Sequence, residues 1–377
     1  MNTTSSVSCM TSGERLVACL TGRAIDRVPF GVGLGWHPLG ETSAQWLAEA
    51  DPGLRNAQGR LDVGRLFAYD PDCVRPDLEY GPFPRFPVEV LADEGATKVW
   101  RDERGIVRRD RKDGTSMSEF LRHPVATPAE WEAIKRERFQ ISAARIREDW
   151  PAFRARLQRD GLAVQVGCFP WGVFGTLRDL MGAEECLIAF YDQPDLVRDI
   201  MQTCTDLWLW LYDQVAAEVP IAHIHIWEDM AGRQGSLISP AMVREFMMPC
   251  YDRIVAWGRA HGVPVISVDS DGDVADLVPV FVEHGITMMF PFEVQAGCDI
   301  LTYRRQYPDL AIVGGLDKRV IGLGRAAIDH EVERAARMCE QGRYIPGFDH
   351  FITPCRWADW QYAVERLRRV CDGLPLG

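Results

Sequence analysis

Acidic side chains recur where short apolar segments of this chain end. Asp269 and Asp271 follow one such segment, Glu228 and Glu293 follow two others, and His350 follows the last. Carboxylates brought close together repel one another unless a cation, protons or basic groups balance their charge. Carboxylate oxygens and one imidazole are suitable ligands for zinc or another borderline divalent ion, so a catalytic metal site is one way to balance them.

Each of these side chains also has a structural interpretation. An Asp at a strand-to-helix turn commonly caps the helix N-terminus, and we favour this role or an ion pair for Asp273 and Asp317. Asp269, Glu293 and His350 are instead the candidate metal ligands.

Other residues of the same segments have alternative roles. His223 and His225 share one face of a predicted strand, where a hydrogen-bonded interior histidine is more common than a ligand. Gly314 and Gly315 allow close backbone approach, which either seats a ligand or relieves crowding. Trp171, in a loop of aromatic and glycine residues, either covers a planar ligand or packs in the core.

The elements that position these side chains follow from hydrophobic patterning. Buried strands are predicted at residues 28–32, 163–166, 221–227, 263–268, 287–292, 310–313 and 343–345, with a weak eighth candidate at 85–91. Helical spacing follows most of them, at residues 240–258, 274–284, 300–307 and 329–341. Repeated βαβ units with right-handed crossovers favour a closed (β/α)₈ TIM barrel, whose active site lies at the C-terminal ends of the strands.

The remaining patterns complete the predicted architecture. Short strands separated by glycine-containing turns indicate an antiparallel β-meander inserted near residues 85–112 and covering one barrel mouth, and a helix at 129–158 leads back to the core. A doubly wound parallel sheet is the alternative fold, but no Gly-x-Gly-x-x-Gly, the motif that a dinucleotide-binding fold would place there, follows the first strand. We predict a single domain over residues 1–377.

Composition excludes several classes of protein. The 377 residues are 47% hydrophobic and 25% charged, with a net charge of −12, which opposes binding to nucleic acid. No apolar run approaches the roughly 20 residues of a membrane span, and the N-terminus does not resemble a secretory signal, so we expect a cytoplasmic protein. Eleven cysteines without Cys-x-x-Cys spacing argue against a disulfide framework or a thiolate-rich zinc site. A small-molecule ligand is expected, and a homodimer is possible.

Five motifs together resemble the uroporphyrinogen decarboxylase superfamily. They are Trp-Glu-Asp-Met-Ala at 227–231, Asp-Ser-Asp-Gly-Asp at 269–273, Pro-Phe-Glu-Val-Gln-Ala-Gly at 291–297, Gly-Gly-Leu-Asp-Lys-Arg at 314–319 and Tyr-Ile-Pro-Gly-Phe-Asp-His at 344–350. The resemblance covers nearly the whole chain and implies a TIM barrel. It also implies one of two activities: decarboxylation of a tetrapyrrole without a metal, or methyl transfer to or from a corrinoid on a partner protein, commonly with zinc.

The sequence departs from both patterns. The decarboxylases carry Arg-Gln-Ala-Gly-Arg after the first strand, whereas residues 31–37 read Gly-Val-Gly-Leu-Gly-Trp-His, and an acidic site without those arginines repels a polyanion. The thiol-methylating members present His-x-Cys-Gly and a later cysteine. Asp269 and Asp271 occupy the first two of these positions, and Asp349 and His350 lie near the third, so any zinc here is a harder Lewis acid.

The resemblance and the departures together predict a metal-dependent methyltransferase. It would move a methyl group between a small O- or N-methyl compound and a corrinoid supplied by a partner protein. Asp269, Glu293 and His350 would hold zinc or another divalent metal, assisted by Glu228 or Asp271. Cofactor-binding positions would be Trp36, Trp171, Gly314 and Gly315. The alternatives are a decarboxylase of a tetrapyrrole or another carboxylated substrate, and a non-catalytic barrel that binds a small ligand.

Overall fold

The computed structural model describes residues 9–31, 40–56, 59, 61–113 and 117–376. Its strands are β1 Glu89–Glu94, β2 Thr97–Arg101, β3 Val107–Arg111, β4 Glu119–Arg122, β5 Gln165–Val166, β6 His223–Trp227, β7 Ala231–Gly232, β8 Gly235–Ser236, β9 Val265–Ser270, β10 Met288–Pro291, β11 Ala311–Leu316 and β12 Tyr344–Phe348. Its helices are α1 Ser12–Leu20, α2 Gly40–Glu49, α3 Val63–Leu66, α4 Pro128–Arg138, α5 Trp150–Asp160, α6 Val173–Met181, α7 Ala183–Asp192, α8 Pro194–Ala216, α9 Pro240–Met242, α10 Met248–Ala260, α11 Val278–Glu283, α12 Ile300–Gln306, α13 Val320–Leu323, α14 Arg325–Glu340 and α15 Trp357–Cys371. A π-helical turn at Val243–Met247 joins α9 to α10.

A parallel sheet organises the chain. Its order is β12-β11-β10-β9-β6-β5, and every neighbouring pair is parallel. Beyond β5, Val74 makes a parallel bridge to Val164, which extends the sheet by one more chain segment. The strand predicted at 28–32 differs: residues 28–31 are not strand, and residue 32 lies outside the described residues.

Side-chain alternation along the strands separates two environments. In β9, Ile266 and Val268 pack into the main core formed with the surrounding helices, whereas Ser267 and Asp269 face the opposite side. The His-Ile-His-Ile-Trp sequence of β6 alternates in the same way, with both isoleucines in the main core. The histidines of β6 and the polar residues of β9 therefore share the barrel interior.

Helix α1 packs against one end of this interior. Its Leu16 and Leu20 form a separate apolar cluster with Val265, Met288 and Ala311, which are the first residues of β9, β10 and β11. Thr11 caps the helix by accepting a hydrogen bond from the backbone of residue 14. The N-terminal ends of the strands are thereby covered, and the C-terminal ends carry the polar residues.

The predicted meander is present and longer than expected. Strands β1 to β4 form an antiparallel sheet in sequence order, reaching Arg122 rather than residue 112. Because Glu89–Glu94 pairs within this sheet, residues 85–91 do not supply an eighth barrel strand. That weaker prediction is wrong.

The predicted helix at 129–158 is two helices, α4 and α5, separated by a 3₁₀ turn at Ala143–Arg145. A new start signal divides them: Asp149 accepts a hydrogen bond from the backbone of residue 152, and Pro151 occupies the first turn of α5. The buried Arg145 guanidinium donates to backbone carbonyls of the intervening segment and of the strand-like residues before the meander.

The described part of the chain has neither a membrane-spanning helix nor a disulfide bond. None of its helices is long and apolar enough to cross a membrane. All eleven cysteines are free thiols.

Candidate active site at the barrel mouth and interior

A cluster of ion pairs lies where the loops after β10, β11 and β12 meet. The Lys318 ammonium is 3.2 Å from Glu293 Oε1 and 3.6 Å from Asp349 Oδ1. The buried Asp349 carboxylate also accepts a 2.7 Å hydrogen bond from the Val294 amide. Burial raises the pKa of Asp349, although the Lys318 ammonium lowers it. One buried cation thus holds two carboxylates, and we call Glu293, Lys318 and Asp349 the mouth ion cluster.

A second contact crosses the mouth. His350 Nε2 lies 3.1 Å from Asp271 Oδ2, joining the loop after β12 to the loop after β9. This hydrogen bond raises the pKa of His350, whereas burial raises the pKa of Asp271. The Gly272 amide donates a 3.0 Å hydrogen bond to Glu293, which ties the same loop to the mouth ion cluster.

The residues predicted to bind zinc do not form a metal group in this arrangement. Among the described residues, no three or more His, Cys, Asp or Glu side chains are grouped so that they could hold a metal ion. Glu293 faces the Lys318 ammonium, and His350 faces Asp271. Asp269 faces the barrel interior. The three predicted ligands are thus not grouped as a metal site among the described residues, and metal binding by them stays a prediction.

Glu228, predicted to assist catalysis, is engaged elsewhere. Its fully buried carboxylate accepts hydrogen bonds of 2.7–2.9 Å from the amides of Val173, Phe174 and Gly175, and a further one from the Tyr251 hydroxyl. Those amides belong to the first turn of α6, where backbone donors have no partner within the helix. Burial raises the pKa of Glu228 to about 7, although all four donors oppose this rise. Glu228 therefore caps α6, and its predicted part in catalysis stays a prediction.

The barrel interior contains a cavity of about 330 Å³. Asp269, His223 and His225 supply polar atoms to its wall, and Met288 and Phe290 supply apolar surface. The cavity lies between α1, which covers the N-terminal ends of the strands, and the mouth. Of the predicted ligand residues, Asp269 lines this cavity, whereas Glu293 lines a separate cavity of about 270 Å³ with Arg233 and Arg319.

The two histidines form a polar chain along the cavity wall. His223 Nε2 is 2.7 Å and His225 Nδ1 is 3.2 Å from the Ser267 hydroxyl, and His223 Nδ1 lies 3.9 Å from the Cys73 thiol. Burial lowers the pKa of each histidine to about 3, so both are neutral at physiological pH. The prediction that they are hydrogen-bonded interior residues agrees with these contacts.

Asp269 differs from every other acid of the mouth. Its side chain is 4% exposed and lines the cavity, and no donor in the described part of the chain reaches its carboxyl group. Burial, with the nearby charges of Asp271 and Asp229, raises its pKa well above the ordinary value for aspartate. The group thus retains its proton more readily than an exposed aspartate does and is suited to offer it to a bound molecule.

Arg75 was not identified from the sequence, yet it lines the same cavity. It follows Val74, whose main chain bridges to Val164, and it alternates with that buried valine. Its guanidinium makes neither a hydrogen bond nor an ion pair with the residues that the structure describes. An unpaired cation beside the histidines and Asp269 is a feature that the predicted site lacked.

The predicted cofactor positions have varied surroundings. Trp171 lines a second cavity, of about 570 Å³, between the meander and the loop after β5, and Phe169 borders both cavities. Gly314 and Gly315 both have positive φ. A Cβ on Gly314 would lie 2.8 Å from the Pro291 carbonyl oxygen of β10, and one on Gly315 would lie 2.1 Å from Ile300 Cγ2 of α12, so the lack of side chains allows close packing there. Trp36 lies outside the described residues.

Comparison with known proteins supplies the family. The sequence profile named uroporphyrinogen decarboxylase (URO-D) matches residues 112–356. A solved structure of a methyltransferase from Methanosarcina mazei is similar in fold, with a TM-score of 0.59 and 16% sequence identity over 97% of this chain and 99% of that one. No curated protein matches. The fold is the predicted TIM barrel, and the chain belongs to the uroporphyrinogen decarboxylase family.

Proposed function

We propose that this protein is a methyltransferase that moves a methyl group between a small O- or N-methyl compound and a corrinoid carried by a partner protein. The observation that carries the proposal is Asp269, a buried carboxyl group without a donor that faces a cavity of about 330 Å³. A similar fold in a protein named as a methyltransferase is in keeping with this activity.

Asp269 addresses the main chemical difficulty of demethylation. A methyl ether is a poor electrophile because negative charge develops on oxygen as the methyl–oxygen bond breaks. A carboxyl group that retains its proton would transfer it to this oxygen, and the methyl group would leave to the acceptor. The raised pKa of Asp269 favours the protonated form that this step requires. His225, on the same wall, would orient the substrate.

The access route supports the participation of a large partner. Phe169 is 59% exposed and borders both the interior cavity and the cavity beside Trp171. A corrinoid would supply a cobalt centre that accepts or donates the methyl group. In this proposal the partner approaches the open side marked by Phe169, and the small substrate occupies the interior.

Zinc, or another divalent metal, stays a prediction for Asp269, Glu293 and His350. A metal on Asp269 would displace the proton that the proposed step uses, so the two roles exclude each other. Metal analysis of purified wild-type protein beside Asp269→Ala and His350→Ala separates them. Stoichiometric metal in the wild type that is lost in both variants supports ligation, whereas metal retained in both variants contradicts the predicted ligand set.

The methyl-transfer proposal is tested with cob(I)alamin and a series of methyl ethers and methylamines. We expect the cobalt spectrum to change to that of the methylated form with at least one donor, and Asp269→Asn to slow this change by about 100-fold or more. Asp276→Asn is the matched control, because Asp276 is exposed in the same loop region and makes no hydrogen bond or ion pair within the described chain. No spectral change with any donor, or with methylcobalamin and acceptors, contradicts the proposal.

Arg75 favours a second candidate function, decarboxylation of a small carboxylated substrate. An unpaired arginine in the wall of a cavity is a suitable partner for a carboxylate. Release of carbon dioxide from a carboxylate that binds to the cavity, without any cobalt reaction, would favour this candidate over methyl transfer.

A further inference from the structure

We propose that the interior cavity binds a small aromatic carboxylate, with Arg75 as the partner of the carboxylate group and the ring against Phe290. The aromatic carboxylate would be the substrate of the proposed methyl transfer, so its role in the reaction rests on the proposed function. The binding itself is independent of turnover.

The first argument is the state of Arg75. Arg75 lines the cavity at its exposed edge and makes no hydrogen bond or ion pair with any described residue. Arg147, by contrast, is paired with Asp77 at 2.8 Å and Glu79 at 3.1 Å. A guanidinium presents two parallel N–H donors, which match the two oxygens of a carboxylate. The cavity therefore holds an unused anion partner.

The acids around Arg75 leave it available. Asp72 also lines the cavity, but it makes no ion pair with Arg75, and its carboxyl accepts a 2.7 Å hydrogen bond from the Cys73 amide. His223 and His225 carry no charge at neutral pH. Arg75 is thus the cation among the described residues of this wall, and the two uncharged histidines can donate or accept hydrogen bonds without repelling an anion. Burial raises the pKa of Asp72, although the charge of Arg75 lowers it.

The second argument is the shape and character of the rest of the wall. Phe290 is stacked on His225, with 5.5 Å between ring centroids and 28° between planes, so the wall presents flat surfaces. Met288 and Val313 add apolar surface below them. The volume of about 330 Å³ lies at the lower end of the range for ligand pockets, about 300–1,000 Å³. A single ring suits this space better than a tetrapyrrole.

The test compares 3-methoxybenzoate with 3-methoxybenzamide, which has the same shape and no charge. Calorimetric titration of wild-type protein is expected to show at least tenfold tighter binding of the carboxylate. Arg75→Gln should lose at least tenfold in carboxylate affinity and leave amide affinity unchanged. Arg136→Gln is the matched control, since Arg136 is exposed on α4, away from the cavity, and makes no hydrogen bond or ion pair within the described chain.

A second variant guards against a folding defect. Arg75→Lys retains the charge and loses the paired donors, so we expect it to bind the carboxylate with intermediate affinity. A midpoint temperature of thermal unfolding equal to that of the wild type would show that both variants are folded. If Arg75→Gln does not fold, the wild-type preference for the carboxylate together with the Arg75→Lys affinity decides the matter.

The outcomes separate this inference from the proposed function. Equal binding of both probes, no binding of either, or unchanged carboxylate affinity in Arg75→Gln and Arg75→Lys overturns the inference. Carboxylate binding without any cobalt reaction leaves the inference standing and contradicts methyl transfer. Methyl transfer from neutral donors alone, without carboxylate binding, supports the proposed function and overturns the inference about the carboxylate.

Discussion

Two buried acids at the ends of neighbouring strands have opposite surroundings. Glu228 follows β6 and Asp269 ends β9, and Trp227 is the register partner of Asp269. Both carboxyl groups are buried, and burial raises the pKa of both. Four donors surround Glu228, whereas no described donor reaches Asp269. A raised pKa therefore does not distinguish a structural acid from a candidate catalytic one, but the hydrogen-bond partners do.

The comparison also shows how one acid supports the other. Glu228 satisfies the first turn of α6, which follows the loop that carries Phe169 and Trp171. This loop borders both cavities. Fixing α6 thus shapes the entrance to the cavity that Asp269 lines.

The largest expected effect is the loss of stability in Glu228→Ala. Three amides and a hydroxyl would be left buried without an acceptor, so we expect the free energy of unfolding to fall by about 3–5 kcal/mol. Urea denaturation followed by circular dichroism measures it. Tyr251→Phe removes one donor and should cost about 1 kcal/mol. A Glu228→Ala effect no larger than that of Tyr251→Phe would contradict the capping role.

The next effect is a pH dependence of the free energy of unfolding, of which the part due to Glu228 is the difference between wild type and Glu228→Gln. A carboxyl pKa raised from 4.5 to about 7 means that the folded state binds the proton more tightly. This contribution to stability is fully present below pH 4.5 and is lost as the pH rises through 7, by about 3 kcal/mol. Denaturation of wild type and Glu228→Gln between pH 4.5 and 8 should show their difference shrinking or reversing with rising pH. Parallel curves would mean that the four donors keep Glu228 ionised throughout.

A smaller effect is expected from the mouth ion cluster. Lys318→Met would leave the buried Asp349 and the partly exposed Glu293 facing each other without a cation. Because both retain backbone hydrogen bonds, we expect a loss of about 2 kcal/mol at neutral pH, recovered in acid as the buried Asp349 takes up a proton. Arg319→Met, which removes an exposed pair with Asp317, should cost less than about 1 kcal/mol.

Much of this contrast was readable from side-chain alternation. Asp269 shares its phase with Ser267, which faces the interior, and it was predicted as a site residue. Glu228 shares its phase with Ile224 and Ile226, which pack in the main core, so alternation along β6 points it away from the interior. Its position at a strand end alone suggested a site role, and the alternation was the signal that this reasoning overlooked.

Other features depended on contacts that no local pattern encodes. Arg75 lies between Pro71 and Pro76 in a segment with a single bridge at Val74, too short to predict as a strand. The predicted metal ligands come from adjacent strand ends, but which groups pair there is a matter of tertiary geometry. Lys318, which the prediction did not include, lies beside Glu293, one of the predicted metal ligands. The division of helix 129–158, by contrast, had a local signal in Asp149 and Pro151.

The smallest expected change in stability is that of Asp269→Asn, and it is the sharpest test of the comparison. The substitution removes no described hydrogen bond and places a neutral amide where burial already disfavours a charge, so the free energy of unfolding should change by less than about 1 kcal/mol. Methyl transfer should nevertheless fall by about 100-fold or more, because the amide cannot release a proton. Denaturation and the cobalt assay on one preparation measure both. A large loss of stability would place Asp269 in the same structural class as Glu228, and full activity would remove it from the reaction.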